Sequence, residues 1–510
     1  MYKQASLNKT STSADFGNKK VFYVIALASV LLAILFGLFA VTANPIIISL
    51  AVALVGGSFL LTKPIWMVWL LLGSGLLVVG MLPLYLDFLA SKAAWGVSIL
   101  GFILLFMAIF RIATFPKAVK ATPAFVWLAF FFLIYAILNS LLQWHTAFEF
   151  LGGIKRYFQM YGLLFILCWY DFDEEDIHRW KVFILLVAIL QLPTAVYELL
   201  VFVPALVGTW GVAAVDMVAG TFGSKKEGGG NNAEMCLFLI IMMAFLLARH
   251  KEKILSSKWL VIFLSILIPP LFLGETKAVI VMLPLMFLVL YRHEIFTRFH
   301  YWLIGFISAI LLAVAIGYYY LSLSPKPVDQ QLTEIIEYNF QSKGYGGQYL
   351  NRTTVLTFWA EKQGIHDPVS FIFGNGVGSS HAPTRGHLTK IYPAYGIGLT
   401  AVSTILWDLG IVGFSLFVSI FVFTWISARK IMRESNIPSV KADAIAIQAA
   451  LVLFAFHIFY RDSLLDSPAI QIVFAGLLGY WAWVHRKHFS SSVHGESESR
   501  YMKLPGGGIS

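Results

Sequence analysis

The stretch AFVWLAFFFLIYAILNSLL (Ala124–Leu142) decides the fold class, because it runs for nineteen residues without a charged side chain. A helix rising 1.5 Å per residue needs about 20 such residues to cross the hydrocarbon of a bilayer. Working outward from it, comparable apolar runs occupy roughly 21–42, 45–62, 64–86, 93–114, 150–170, 180–204, 232–248, 259–274, 277–292, 301–322, 399–426, 442–461 and 469–486. The runs 45–62 and 277–292 are marginal, so the sequence predicts an all-α polytopic membrane protein with 12–14 spans. The run 21–42 is too long for the apolar core of a signal peptide and reads as a first span.

Composition agrees. Of 510 residues 59% are hydrophobic and 13% charged, and the mean hydropathy is +0.78. A soluble domain carries about 45–50% apolar and about 25% charged residues, which excludes a soluble enzyme held by one anchor. Cys168 and Cys236 both lie in apolar runs, so neither a disulfide framework nor a CxxC metal site is available.

The net charge of +10 would suggest a nucleic-acid partner in a soluble protein. Sorting the cations by side gives a different reading. With the N-terminus inside, 24 of the 37 Lys and Arg fall in cytoplasmic segments, as the positive-inside rule requires. Both termini are then cytoplasmic, 1–20 and 487–510 read as disordered tails, spans 1–11 fill 21–322, and the last three fill 399–486. The segment 323–398 is a large extracytoplasmic loop with short amphipathic helices expected at about 328–341 and 349–363.

The cations left on the outer side need a reason. They include Lys155 and Arg156 in GGIKRYFQMYG (152–162), Lys225 and Lys226 in GTFGSKKEGGGNNAEM (220–235), Lys277 at the start of a span, and Arg461 beside two aspartates in YRDSLLD (460–466). The Gly-rich segment lacks GxxxxGK[ST], so it is not a nucleotide-binding P-loop. Arg352 and Arg385 lie in the large loop with His366, His381 and His387. Histidine titrates near working pH and is a candidate base, although these three have no metal-ligand spacing. Glu198, near the outer end of a span, is a third candidate after His381 and His387. Few ionisable groups sit at the midplane, which argues against a proton-coupled transporter. Clustered cations under a capping loop would suit an anionic lipid headgroup carrying a phosphate or diphosphate, and would stabilise a departing diphosphate.

The order GTFG…NNAEM, ETKA, RTTVLTFWAEKQGIHDPVSFIFGNGVGSSH and LTAVSTILWDLGIVGF resembles the O-antigen ligase and polymerase superfamily over roughly 150–426. The third block carries Arg352, Trp359-Ala360, Pro368 and Gly374-Gly376-Gly378. The resemblance implies a C-type glycosyltransferase-like fold and a polyprenyl-diphosphate-linked oligosaccharide as donor and acceptor, with no cofactor and no metal. It also implies an inner-membrane location and, as partners, the bilayer and a chain-length regulator and flippase of the same pathway. Lys277 and Arg352 match diphosphate-binding positions and Arg156 a further basic one, with Lys225 and Lys226 standing in for a basic residue missing before Gly220. Arg385 and Gly396 have the Arg-x10-Gly spacing of polymerase loops. The ligase branch's His falls here on Leu399. The expected activity is therefore a polysaccharide polymerase acting on lipid-diphosphate-linked glycan at the outer face. The alternatives are a ligase moving glycan to lipid A core or another terminal acceptor and, from a different class, a flippase or exporter.

Overall fold

In the computed structural model the described residues are Val30, 63–206 without 86, 218–224, 231–297 without 275, scattered positions between 303 and 344, and 348–501 without 365. The chain divides into two compact units, Met1–Leu70 and Leu71–Ser510. Everything that follows lies in the second, apart from the first residues of α1. The described elements are helical, with no strand among them.

Among the described residues seven helices are long and apolar enough to cross a membrane, and the protein is a multi-pass membrane protein. These are Pro64–Leu82, Ala94–Thr114, Ala124–Leu142, Glu174–Phe202, Asn232–Lys251, Ala401–Glu434 and Pro438–Tyr460, each on a span read from the sequence. Ser257–Leu273 and Val279–Leu290 are shorter apolar helices. The expected spans 21–42, 45–62 and 301–322 lie outside the described residues, apart from isolated positions, as do 1–20 and most of 328–341. The final helix, Pro468–Tyr501, continues beyond 486 into the segment read as a tail.

We number the helices that matter for the site in chain order: α1 Pro64–Gly73, α2 Asp87–Thr114, α3 Ala124–Leu142, α4 Ala147–Phe158, α5 Tyr161–Trp169, α6 Glu174–Tyr197, α7 Asn232–Lys251, α8 Val279–Leu290, α9 Thr354–Gly364, α10 Pro368–Phe373, α11 His387–Ile391, α12 Ala401–Glu434, α13 Pro438–Tyr460, α14 Ser463–Asp466 and α15 Pro468–Tyr501. A helix that is apolar on every side belongs in a core or a membrane. All nine residues of α5 are buried, and α5 packs between α2 and α15. Helix α13 packs against α7, α8 and α12, and α7 and α13 are each 78% buried across their apolar windows, against 28% for Glu174–Phe202. The first two are interior helices, and the last is the least covered of the three.

Charge pairs mark the two ends of the antiparallel α7–α13 pair. At one end Arg249 meets Asp443 at 3.1 Å, where Asp443 also accepts from the Tyr480 hydroxyl. At the other end Arg461 meets the fully buried Glu234 at 3.3 Å. The candidate site lies at the Arg461 end.

The stretch 150–170, read from sequence as one span, is two helices. Gln159 and Met160 separate α4 from α5. The buried Gln159 amide accepts from Ser98 Oγ at 2.6 Å and donates to the Asp466 carbonyl at 3.2 Å. These are tertiary partners that hold a polar side chain inside the apolar bundle, where leaving it unpaired would be costly.

Candidate functional site

Helix α4 carries the site. Thr146 caps it by accepting from Glu149 N, and its buried stripe holds Glu149, Gly153 and Arg156. Residues three and four apart share a helix face, so one line of α4 presents a carboxylate, a gap and a guanidinium over about 10 Å.

The gap receives the loop 374–380. A Cβ on Gly153 would lie 2.4 Å from the Val377 carbonyl oxygen, so backbone packs directly on backbone there. Gly374, Gly376 and Gly378 have φ of +87°, +88° and +87°, a region open to glycine and closed to most side chains. At Gly374 and Gly378 a Cβ would also strike the backbone of Asp408–Leu409 and of Glu149. Asp408, wholly buried, holds this loop from α12. It accepts from Gly378 N at 3.0 Å, Ser379 Oγ at 2.7 Å, Ser380 N at 2.9 Å and Tyr157 Oη at 3.1 Å. Two residues later Gly410 breaks α12 at φ 64°, ψ −167°, and the freed Leu409 carbonyl accepts from Tyr135 Oη.

At the first end of the stripe, Glu149 Oε1 lies 2.8 Å from His387 Nδ1, and Glu149 Oε2 accepts from His387 N at 3.3 Å. A carboxylate can only accept, so Nδ1 carries the hydrogen, and in the neutral ring Nε2 presents a lone pair. His145 stacks on His387 with ring centroids 3.6 Å apart. Desolvation and the neighbouring His387 hold His145 below the ordinary histidine range, against the pull of Glu149. Arg385, in a left-handed conformation at φ 54°, sets its guanidinium over Phe148, next to Glu149. Of the histidines singled out from sequence, His387 is therefore the one whose ring is hydrogen-bonded to a carboxylate among the described residues.

At the other end Arg156, 2% exposed, donates to Asp462 Oδ2 at 2.7 Å and lies 3.7 Å from Asp466 Oδ1. Its Nε and Nη1 have no hydrogen-bond partner among the described residues. Asp466 also lies 3.9 Å from His381 Nε2. Burial and then the Arg156 charge lower His381 to about 3, so it is neutral at neutral pH. Burial raises Asp462 against the pull of Arg156. Lys155 stacks its ammonium on Trp95 at 4.8 Å.

The remaining candidates are dispersed. Arg352 donates from Nε to the Tyr460 carbonyl at 2.8 Å and lies over the Tyr460 ring, near Arg461 in sequence. Lys277 is exposed just before α8. Lys225 and Lys226 lie outside the described residues. Glu198 accepts from Ala219 N at 2.9 Å and Gly220 N at 2.7 Å, a structural engagement with the segment before α7. Gln191 braces the same segment through Thr221.

Sequence reasoning missed Glu149, His145 and Asp408. Glu149 had a signal: a Thr three residues before it makes the N-cap pattern, and α4 is amphipathic. No group of three His, Cys, Asp or Glu side chains among the described residues could hold a metal ion.

No family model and no curated protein matches this sequence.

Proposed function

We propose that the protein is a glycosyltransferase of the bacterial inner membrane, with both termini in the cytoplasm. It would extend polysaccharide by moving a polyprenyl-diphosphate-linked glycan onto a second lipid-linked repeat unit at the outer face. The observation that carries this reading is the α4 stripe, with an oriented imidazole at Glu149 and a buried arginine holding unused N–H groups at Arg156.

In this mechanism His387 Nε2 takes the proton of the acceptor hydroxyl while Glu149 stabilises the imidazolium that forms. The acceptor oxygen bonds to the donor's anomeric carbon, and the bond from that carbon to the diphosphate oxygen breaks. Polyprenyl diphosphate leaves with the electron pair, and Arg156, Lys155 and Arg385 offset its charge. Asp462 and Asp466 already compensate part of the Arg156 charge, so the site favours a departing anion over tight permanent binding. Lys277, Arg352, Arg461, Lys225 and Lys226 fit as outer cations that gather lipid headgroups, and His381 as a neutral donor or acceptor beside Arg156.

Deletion of the gene tests the reading. A surface glycan collapsed to one repeat unit supports a polymerase. Long chains accumulating on carrier lipid would instead point to a ligase.

A further inference from the structure

The outer loop carries a second feature that the chemistry above does not use. Phe358 of α9, Tyr392 and Tyr395 after α11, and Tyr349 before α9 bring four rings together from three segments. Phe358 and Tyr395 stack at 4.9 Å with planes 20° apart. Tyr392 stands nearly perpendicular to both, at 85° and 76°. Tyr349 packs on Tyr395 at 5.1 Å and is 65% exposed. Beneath them lies the buried Trp407, 5.6 Å from Tyr392 and 6.2 Å from Phe358.

The backbone is shaped to present these rings. Ala394 and Gly396 both have positive φ, 65° and 69°, a region that a non-glycine residue such as Ala394 rarely adopts. Tyr349 N donates to the Ala394 carbonyl at 3.0 Å, tying the rim to the turn. The cluster also joins the candidate site twice. Tyr392 follows α11, which starts at His387, about 7–8 Å away by helical rise. Trp407 precedes Asp408, which holds the glycine loop.

We propose that Phe358, Tyr392 and Tyr395, with Tyr349 at the rim, form a carbohydrate-binding platform that holds the acceptor glycan beside His387. A sugar ring has an apolar C–H face and a polar edge, and this corner offers a stacked wall, a perpendicular wall and three tyrosine hydroxyls. Aromatic side chains with a polar tip suit a surface that is half apolar and half wet. Aromatic residues of a membrane-interface belt are set around the bundle at headgroup level, whereas these converge on one another next to an oriented base. The choice of ligand rests on the polymerase reading, but binding can be measured without turnover.

The experiment uses the purified full chain in detergent. Its probe is the soluble glycan released by mild acid from the lipid-linked material of the producing cells, followed by saturation-transfer NMR and titration. Tyr349→Ala, an exposed change, and the double variant Tyr392→Ala/Tyr395→Ala should weaken binding, the double variant by about tenfold or more. Tyr395→Phe, which keeps the ring and removes one of the three hydroxyls, should weaken binding less than the double variant does. His387→Ala should retain binding while losing chain extension. Platform-dependent binding without any turnover would sustain this inference while removing the polymerase reading. Wild-type affinity in both Tyr349→Ala and the double variant, or no glycan binding by the wild-type protein, would overturn the platform.

Discussion

Replacing Glu149 by Gln tests the base assignment with almost no change of shape. In the native site one carboxylate serves two donors, His387 Nδ1 at 2.8 Å and His387 N at 3.3 Å. A glutamine has one acceptor oxygen and one NH2, so it can satisfy only one of the two. If the NH2 faces Nδ1, the imidazole must accept there and carry its hydrogen on Nε2, which removes the base. If the oxygen faces Nδ1, the NH2 opposes the His387 N–H, and a buried donor left unpaired costs about 1–3 kcal/mol. In both cases the negative charge that stabilises the imidazolium is gone. General-base catalysis contributes about 10²–10⁴ in rate, and loss of the orienting carboxylate in a serine-protease triad costs about 10⁴. We expect kcat for chain extension to fall by about 10²–10⁴ in Glu149→Gln, with KM for the lipid-linked acceptor changing less than about threefold. The assay is release of polyprenyl diphosphate by purified protein in detergent, alongside a thermal melt to show that the variant is folded. A folded Glu149→Gln protein with kcat within threefold of wild type would refute the argument that Glu149 sets the His387 tautomer.

Four other outcomes follow from the same geometry. Gly153→Ala should displace the glycine loop, since its Cβ would meet the Val377 and Gly378 backbone within 2.7 Å, and chain extension should drop by at least about tenfold in the purified protein. Asp408→Ala leaves four donors without their acceptor, each costing about 1–3 kcal/mol when buried, so proteolysis at 374–381 should accelerate markedly while the α7–α13 core stays protected. Arg156→Ala should cut kcat and destabilise the fold, because the half-buried Asp462 loses its partner; with the Asp462 side chain partly open to water the loss should fall short of the about 3–5 kcal/mol of a fully buried pair, and a melt of Arg156→Ala/Asp462→Asn should recover part of it. His381 should make the protein acid-sensitive: its folded value near 3 lies below the unfolded value of about 6.5, so the unfolded chain binds the extra proton and stability falls as pH drops from 6.5 towards 3. A pH series of melting temperatures should show a shallower acid limb in His381→Ala.

The fold class was legible because the bilayer forces long apolar helices, and the stretch 124–142 is as plain a span as sequence offers. Partner-dependent features were not legible. The break between α4 and α5 depends on Gln159 finding Ser98 and the Asp466 carbonyl, contacts 61 and 307 residues away in sequence. Without them, 150–170 reads as continuous. The glycine run 374–378 was visible as a turn-rich block, but the reason for it, a backbone lying on Gly153 and Asp408, appears only when α4 and α12 are side by side. His387 could be named from sequence as one of several loop imidazoles. What separates it from His366 and His381 is a hydrogen bond at 2.8 Å to a carboxylate 238 residues earlier. The clustered cations were likewise visible, while the pairing of Arg156 with Asp462 and of Arg461 with Glu234 alters how much free charge they offer.

The most direct measurement is elongation of a purified polyprenyl-diphosphate-linked repeat unit by the purified protein in detergent, where there is no membrane to cross. A polymerase with His387 as base would give a ladder of longer lipid-linked products with one polyprenyl diphosphate released per bond formed, abolished in His387→Ala. A well-folded wild-type protein that leaves the repeat unit unchanged, or a His387→Ala protein that elongates it at the wild-type rate, would contradict it.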